Sequence, residues 1–172
     1  MILYTYQKNI DLQAMSASES MKNDLGLETL NKLSRFVAWE LEFDGEDETL
    51  QLKNLLENSF FIVNPNKELY KVNEMPTRTI RNGEMGIRVK VEQKISQQFD
   101  LETLNKNSGV KLKSLRNFLI WDLYVSYDEI SSKEDVLKAV TRQVIITTNS
   151  SKGLLVNPVS ERATISLINP TS

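Results

Sequence analysis

"LSRFVAWELEFD" (33–44) and "LRNFLIWDLYVS" (115–126) decide how this chain folds. With Trp39 laid over Trp121, Leu33 meets Leu115, Phe36 meets Phe118, Leu41 meets Leu123 and Glu40 meets Asp122. Both stretches alternate with period two, so Val37, Trp39, Leu41 and Phe43 share one face, as do Leu119, Trp121, Leu123 and Val125. Each reads as a half-buried strand with its tryptophan in the core. The chain therefore has two comparable halves.

The flanks agree. Upstream, "ILYTYQKNI" (2–10) sits over "IRVKVEQKI" (87–95), a spacing of 85 (2 to 87). Downstream, "FIVNPNKELYKV" (61–72) sits over "LLVNPVSERATI" (154–165), with a shared Asn-Pro punctuator at a spacing of 93 (64 to 157). The tryptophans are 82 apart (39 to 121), and loop insertions such as "TTNSSKG" (147–153) account for the drift. A more conspicuous repeat, "LETLNK" at 27–32 and 101–106, is 74 apart (27 to 101) and fits none of these spacings. The same six residues are predicted to be strand in the first half and helix in the second, ahead of the stop "NSG" (107–109).

Each half then has an order. A first strand leads to a short helix, which in the first half is predicted from the capping-box pattern "SASE" (16–19) and closed by "LG" (25–26). A strand pair around the Trp follows. A longer amphipathic helix comes next, with Leu52, Leu55, Leu56 and Phe60 on one stripe, and Val136, Ala139, Val140 and Val144 on the other half's stripe. A short strand after the Asn-Pro closes each half. The predicted fold is α+β, two ferredoxin-like β-α-β-β-α-β halves forming a pseudo-dimer with antiparallel sheets. The halves are 1–74 and 84–172, joined by a polar, turn-rich linker at 75–83.

Composition narrows the chemistry. The chain has 172 residues, no cysteine and no histidine, so thiolate sites, Cys nucleophiles and His general bases are excluded. A net charge of −2 gives no global attraction for nucleic acid or anionic lipid. No apolar run has the length of a signal peptide or membrane span, which makes a cytoplasmic location the expectation. No Gly-rich phosphate loop is present. The acidic run "DGEDE" (44–48) has the oxygen ligands hard cations want, but a turn opening a helix explains it better. A base-stacking role for "RFVAWELEF" (35–43) is opposed by Glu40, Glu42 and Asp122 on the face away from the tryptophans. Lys106, Lys111, Lys113 and Arg116 read as a solvated strand face. Asn64-Pro65 and Asn157-Pro158 are most simply turn formers, although their recurrence raises their interest.

At "GLLVNPVSERATISL" (153–167) the chain resembles the end of the PurS-type small subunit of phosphoribosylformylglycinamidine synthase, and "FFIVNPNKELYKV" (60–72) is a degraded copy in which Asn66 departs from the valine. That subunit is a β-α-β-β-α-β protein of about half this length, and large single-chain synthases begin with a domain like a fused pair. The resemblance implies a non-catalytic assembly subunit in de novo purine biosynthesis, bridging a PurL-type synthetase and a PurQ-type glutaminase. It implies no active site on this subunit, so no catalytic residue, cofactor or metal, and the possibility of a homo-oligomer; the charge and hydropathy lead to the expectation of no nucleic-acid and no membrane partner. Asn64, Pro65, Asn157 and Pro158 are the candidate partner-binding residues. A tandem regulatory module binding a small metabolite is the alternative. A stand-alone enzyme working with carboxylates alone is a third, weaker one.

Overall fold

The structure is a computed structural model that describes residues 1–95, 97–128, 131–147 and 153–169. The first half runs β1 (Ile2–Gln7), α1 (Leu12–Asn23), β2 (Leu30–Phe43), α2 (Glu48–Asn58) and β3 (Glu68–Val72). The second runs β4 (Glu84–Gln93), α3 (Leu101–Ser108), β5 (Leu112–Ser126), α4 (Lys133–Val140) continuing as a π-helical turn (Thr141–Ile145), and β6 (Glu161–Ile168). The fold is α+β, with one six-stranded antiparallel sheet in the order β3-β1-β2-β5-β4-β6.

The expected strand pair around each tryptophan is instead one uninterrupted strand, 14 residues in β2 and 15 in β5. Neither contains a Gly or Pro, and no turn chemistry interrupts "SRF" or "RNF", so nothing stops the pleat. The order in each half is thus β-α-β-α-β.

Two compact units result, and each draws on both halves of the sequence. The first comprises Met1–Asn9, Phe36–Pro76 and Ser96–Phe118. Its core joins Leu3, Trp39, Leu41 and Phe43 to Leu52 and Leu55 of α2, and to Val110, Leu112 and Leu115 from the second half. Leu3 lies directly across from Trp39. The Trp39 ring meets Phe61 at 5.8 Å and Phe99 at 5.9 Å. The short helix α3 belongs here. Asp100 accepts the Thr103 N–H at 3.0 Å at its start, which holds that carboxyl below the usual range, and Gly109 closes it at φ 65°.

The second unit comprises Ile10–Arg35, Thr77–Ile95 and Leu119–Ser172. Here Trp121, Leu123 and Val125 pack with Val89, with Ala14 and Met21 of α1, with Leu30 and Leu33, and with Val140, Val144 and Ile145. The start of α1 differs from the sequence expectation. Asp11 accepts the Gln13 and Ala14 N–H groups at 3.0 and 3.1 Å, so the helix begins at Leu12 and "SASE" lies inside it. Leu27 N–H reaches back to the Met21 carbonyl at 2.9 Å, past Gly26 at φ 70°, in keeping with the expected stop.

Other details separate expectation from structure. Val89 faces Trp121 as Leu3 faces Trp39, so the first strands match at a spacing of 86 (3 to 89), one more than expected. A one-residue slip exchanges faces, and it is this spacing that stacks Gln7-Lys8 on Gln93-Lys94. Phe60 lies beyond the end of α2 and is exposed, and Ala139 faces solvent while Leu137 packs on the core. The two "LETLNK" copies part as expected: 101–106 lie wholly in α3, and Leu30–Lys32 open β2.

Replacing Trp39 or Trp121 (each 8% exposed) by Ala should cost roughly 3–5 kcal/mol in a urea titration. Cutting the backbone between Pro76 and Thr77 should leave both fragments co-eluting on a sizing column, because each unit contains segments of both. Fragments eluting as separate folded monomers would contradict the shared cores.

Candidate functional site

The Asn-Pro corners are the same device built twice. In the first unit, Asn64 Oδ1 accepts the Asn66 N–H at 3.1 Å and the Asn64 carbonyl accepts the Lys67 and Glu68 N–H groups at 3.0 and 2.8 Å. Glu68 turns back to accept the Asn64 N–H at 2.7 Å and the Gln7 amide at 3.4 Å. Lys8 donates to the Pro65 carbonyl at 2.5 Å. In the second unit, Asn157 Oδ1 accepts the Val159 N–H at 3.0 Å, Glu161 accepts the Asn157 N–H at 2.7 Å and the Gln93 amide at 2.8 Å, and Lys94 donates to the Pro158 carbonyl. Each corner is an Asx turn locked by a carboxylate, an amide and a lysine from the neighbouring strand.

Four of these residues, Asn64, Pro65, Asn157 and Pro158, were candidates on sequence. Gln7, Lys8, Glu68 and their counterparts Gln93, Lys94 and Glu161 were not. Their signal was present as N-P-x-x-E in "NPNKE" and "NPVSE", with "QK" in each first strand.

The corners differ in what they display. Ile95 is 88% and Val159 84% exposed, while the matching positions hold Asn9 and Asn66, also exposed. The backbone and its bonds are otherwise alike, so the turn itself does not require apolar residues there.

The second unit also carries a buried polar cluster. Asp122 is 0% exposed and takes Nε and Nη2 of its cross-strand neighbour Arg88, both at 2.8 Å. Burial raises the Asp122 carboxyl above its usual range and Arg88 opposes that rise. Burial likewise raises the Tyr124 hydroxyl, and the Asp122 charge adds to it. Arg78 lies over the Tyr124 ring at 4.1 Å and pairs with the Glu84 carboxylate. Burial pushes Glu84 up, but donation from the Asn31 amide (2.9 Å), the Arg81 N–H (3.2 Å) and Arg78 outweighs it, leaving the carboxyl below its usual range. Asn31 bridges on to Ser126 at 2.8 Å. The first unit has no equivalent: Ile2 and Glu40 stand where Arg88 and Asp122 do, and Glu40 pairs with the exposed arm of Arg116 at 2.8 Å.

The remaining motifs take ordinary places. Asp44 pairs with Lys113 at 3.1 Å, and Asp47, at φ 64°, caps α2 by accepting the Leu50 N–H at 3.0 Å. Among the described residues no group of three or more acidic side chains could hold a metal ion, and no helix is long and apolar enough to cross a membrane. Comparison with protein-family models, with curated proteins and with solved structures gives no match to this chain.

The Arg88–Asp122 pair gives a signed pH test. With Arg88→Met, burial alone acts on Asp122, so its folded-state pKa rises further above the unfolded value. Below the unfolded value the carboxyl is neutral in both states and the penalty is absent; it grows as pH rises toward the folded value. The substitution should cost about 3–5 kcal/mol near neutral pH and much less near pH 4, read by urea titrations across that range. A pH-independent loss would mean that Arg88 matters through packing.

Proposed function

We propose that the protein is a tandem PurS-like assembly subunit, one chain doing what two small subunits do in the resembled family, and bridging a PurL-type synthetase to a PurQ-type glutaminase. The observation that carries this reading is that each compact unit draws segments from both halves of the sequence. Each half supplies a helix and a strand segment to the other half's core, as fits a family whose members act as pairs. On this reading each unit is a ferredoxin-like β-α-β-β-α-β set completed by exchange. In the first unit, β1, α3, the start of β5, the end of β2, α2 and β3 take those six places.

The partner-facing element on this reading is the second corner. A rigid turn that holds Ile95 and Val159 out in water costs solubility and gains nothing in the fold, which suits a docking point. Every carboxylate of the buried cluster is engaged by donors, which suits a scaffold rather than general acid–base work.

The test is a rate comparison. Added to a synthetase and a glutaminase of this family, the protein should raise glutamine-dependent amidation of formylglycinamide ribonucleotide and leave the rate with saturating ammonium unchanged. Val159→Asp or Ile95→Asp should abolish that gain, whereas Asn66→Asp and Asn9→Asp should not. Equal glutamine-dependent rates with and without the chain, and no complex on a sizing column, would overturn the assignment.

A further inference from the structure

A second surface is independent of the assembly reading. A cleft of about 480 Å³ opens in the second unit where the segment before β4 meets the end of β6 and the start of α4. That volume lies within the range of small-molecule sites. Its floor is apolar, with Met85 and Ile168, and Tyr127 forms part of the wall. Its polar lining is rich in donors: Arg81, Lys133, and the amides of Asn82 and Asn169.

The charge balance is what gives the cleft a preference. Glu84 also lines it, but its carboxylate is already engaged by Arg78, Asn31 and the Arg81 N–H. The acidic residues of the first turn of α4, Glu134 and Asp135, do not line the cleft, and Asp135 is bonded to Ser132 at 2.7 Å. Among the described residues the Arg81 guanidinium and the Lys133 ammonium have no carboxylate partner, and Lys133 only approaches the Tyr127 ring, at 5.8 Å. Two cationic residues thus line one cavity with no counter-ion among the described residues.

The loop is also fixed in place. Arg81 accepts the Glu84 N–H at 3.1 Å, Gly83 turns at φ 71°, and its carbonyl accepts the Tyr127 N–H at 3.0 Å. Backbone that is already ordered has little entropy to lose when a ligand arrives.

We infer that this cleft binds a small oxyanion-bearing molecule, a phosphate ester or a carboxylate, with Arg81 and Lys133 gripping the anionic group and the apolar floor taking the body. The experiment is calorimetric titration of the full-length protein, at low ionic strength, with inorganic phosphate, adenosine monophosphate and citrate in turn. Saturable binding of at least one probe is expected. Arg81→Ala and Lys133→Ala should each weaken it about tenfold or more, as for loss of a charge-assisted contact. Lys67→Ala, an exposed lysine in the other unit, should leave it unchanged. Binding of the phosphates without citrate would define a phosphorylated ligand, and the reverse a carboxylate. Lack of saturation by all three probes, or equal weakening by Lys67→Ala, would overturn the assignment. Thermal melts of Arg81→Ala and Lys133→Ala matching the parent confirm that a lost signal is lost binding, since both side chains are exposed. The docking variants at Ile95 and Val159 should bind the probes normally, so failure of the assembly reading leaves this test intact.

Discussion

A β-strand of 14 or 15 residues with no breaker has to find cover along its whole length, and the rest of this structure follows from that requirement. At about 3.3 Å per residue such a strand is roughly 45–50 Å long, while a helix of 11 or 12 residues covers less than half of that. One small core cannot shelter it. Accordingly Leu30 and Leu33 of β2 enter one hydrophobic cluster while Trp39, Leu41 and Phe43 enter the other; Leu112 and Leu115 of β5 part from Trp121, Leu123 and Val125 in the same way. The helices have little choice after that. Only a short turn separates Asn23 from Leu30, and α3 is followed within a few residues by Leu112, so each short helix goes where the start of its strand goes. Exchange between the halves is a consequence of strand continuity, with no separate cause needed.

The same feature marks the limit of what the sequence disclosed. Period-two alternation placed both tryptophans and their face, because burial on one side leaves a local pattern. Alternation says nothing about whether a long apolar stretch is one strand or two, since the evidence would be a turn signal, and its absence at "SRF" and "RNF" was the informative fact. The spacing of the first strands was misjudged by one because Ile2 over Ile87 is a similarity of single residues. "QK" over "QK" is a similarity of function, as Gln7 and Gln93 hold their glutamates and Lys8 and Lys94 hold their prolines. The start of α1 was missed for a related reason: Asp11 alone caps it, and a capping box further on gave the stronger pattern.

The buried polar cluster was out of reach for a different reason. Asp122 on the outward register of a strand reads as solvated, and only the fold shows it fully enclosed with Arg88 beside it. The segment read as a plain linker donates Arg78 to Tyr124, far off in sequence, and to Glu84, and neither contact has a local periodicity to announce it. A pair of this kind adds little net stability over a well-packed apolar alternative, yet breaking it leaves a buried charge, so it acts as a selector for one arrangement of the second unit. The first unit, with Ile2 and the half-buried Glu40 in those places, has no such selector among the described residues.

The two corners serve as controls for each other. Where the two halves share residues and bonds, as in the Gln, Lys and Glu that lock each Asn-Pro corner, the fold accounts for what is kept. Where the bonds are kept and the surface is not, as in Asn9 and Asn66 against Ile95 and Val159, the fold accounts for nothing. Apolar side chains in water favour aggregation, and asparagines at the matching positions of the same turn show that the backbone tolerates a polar choice. On the proposed assembly reading, that divergence marks the corner with the apolar pair as the docking point.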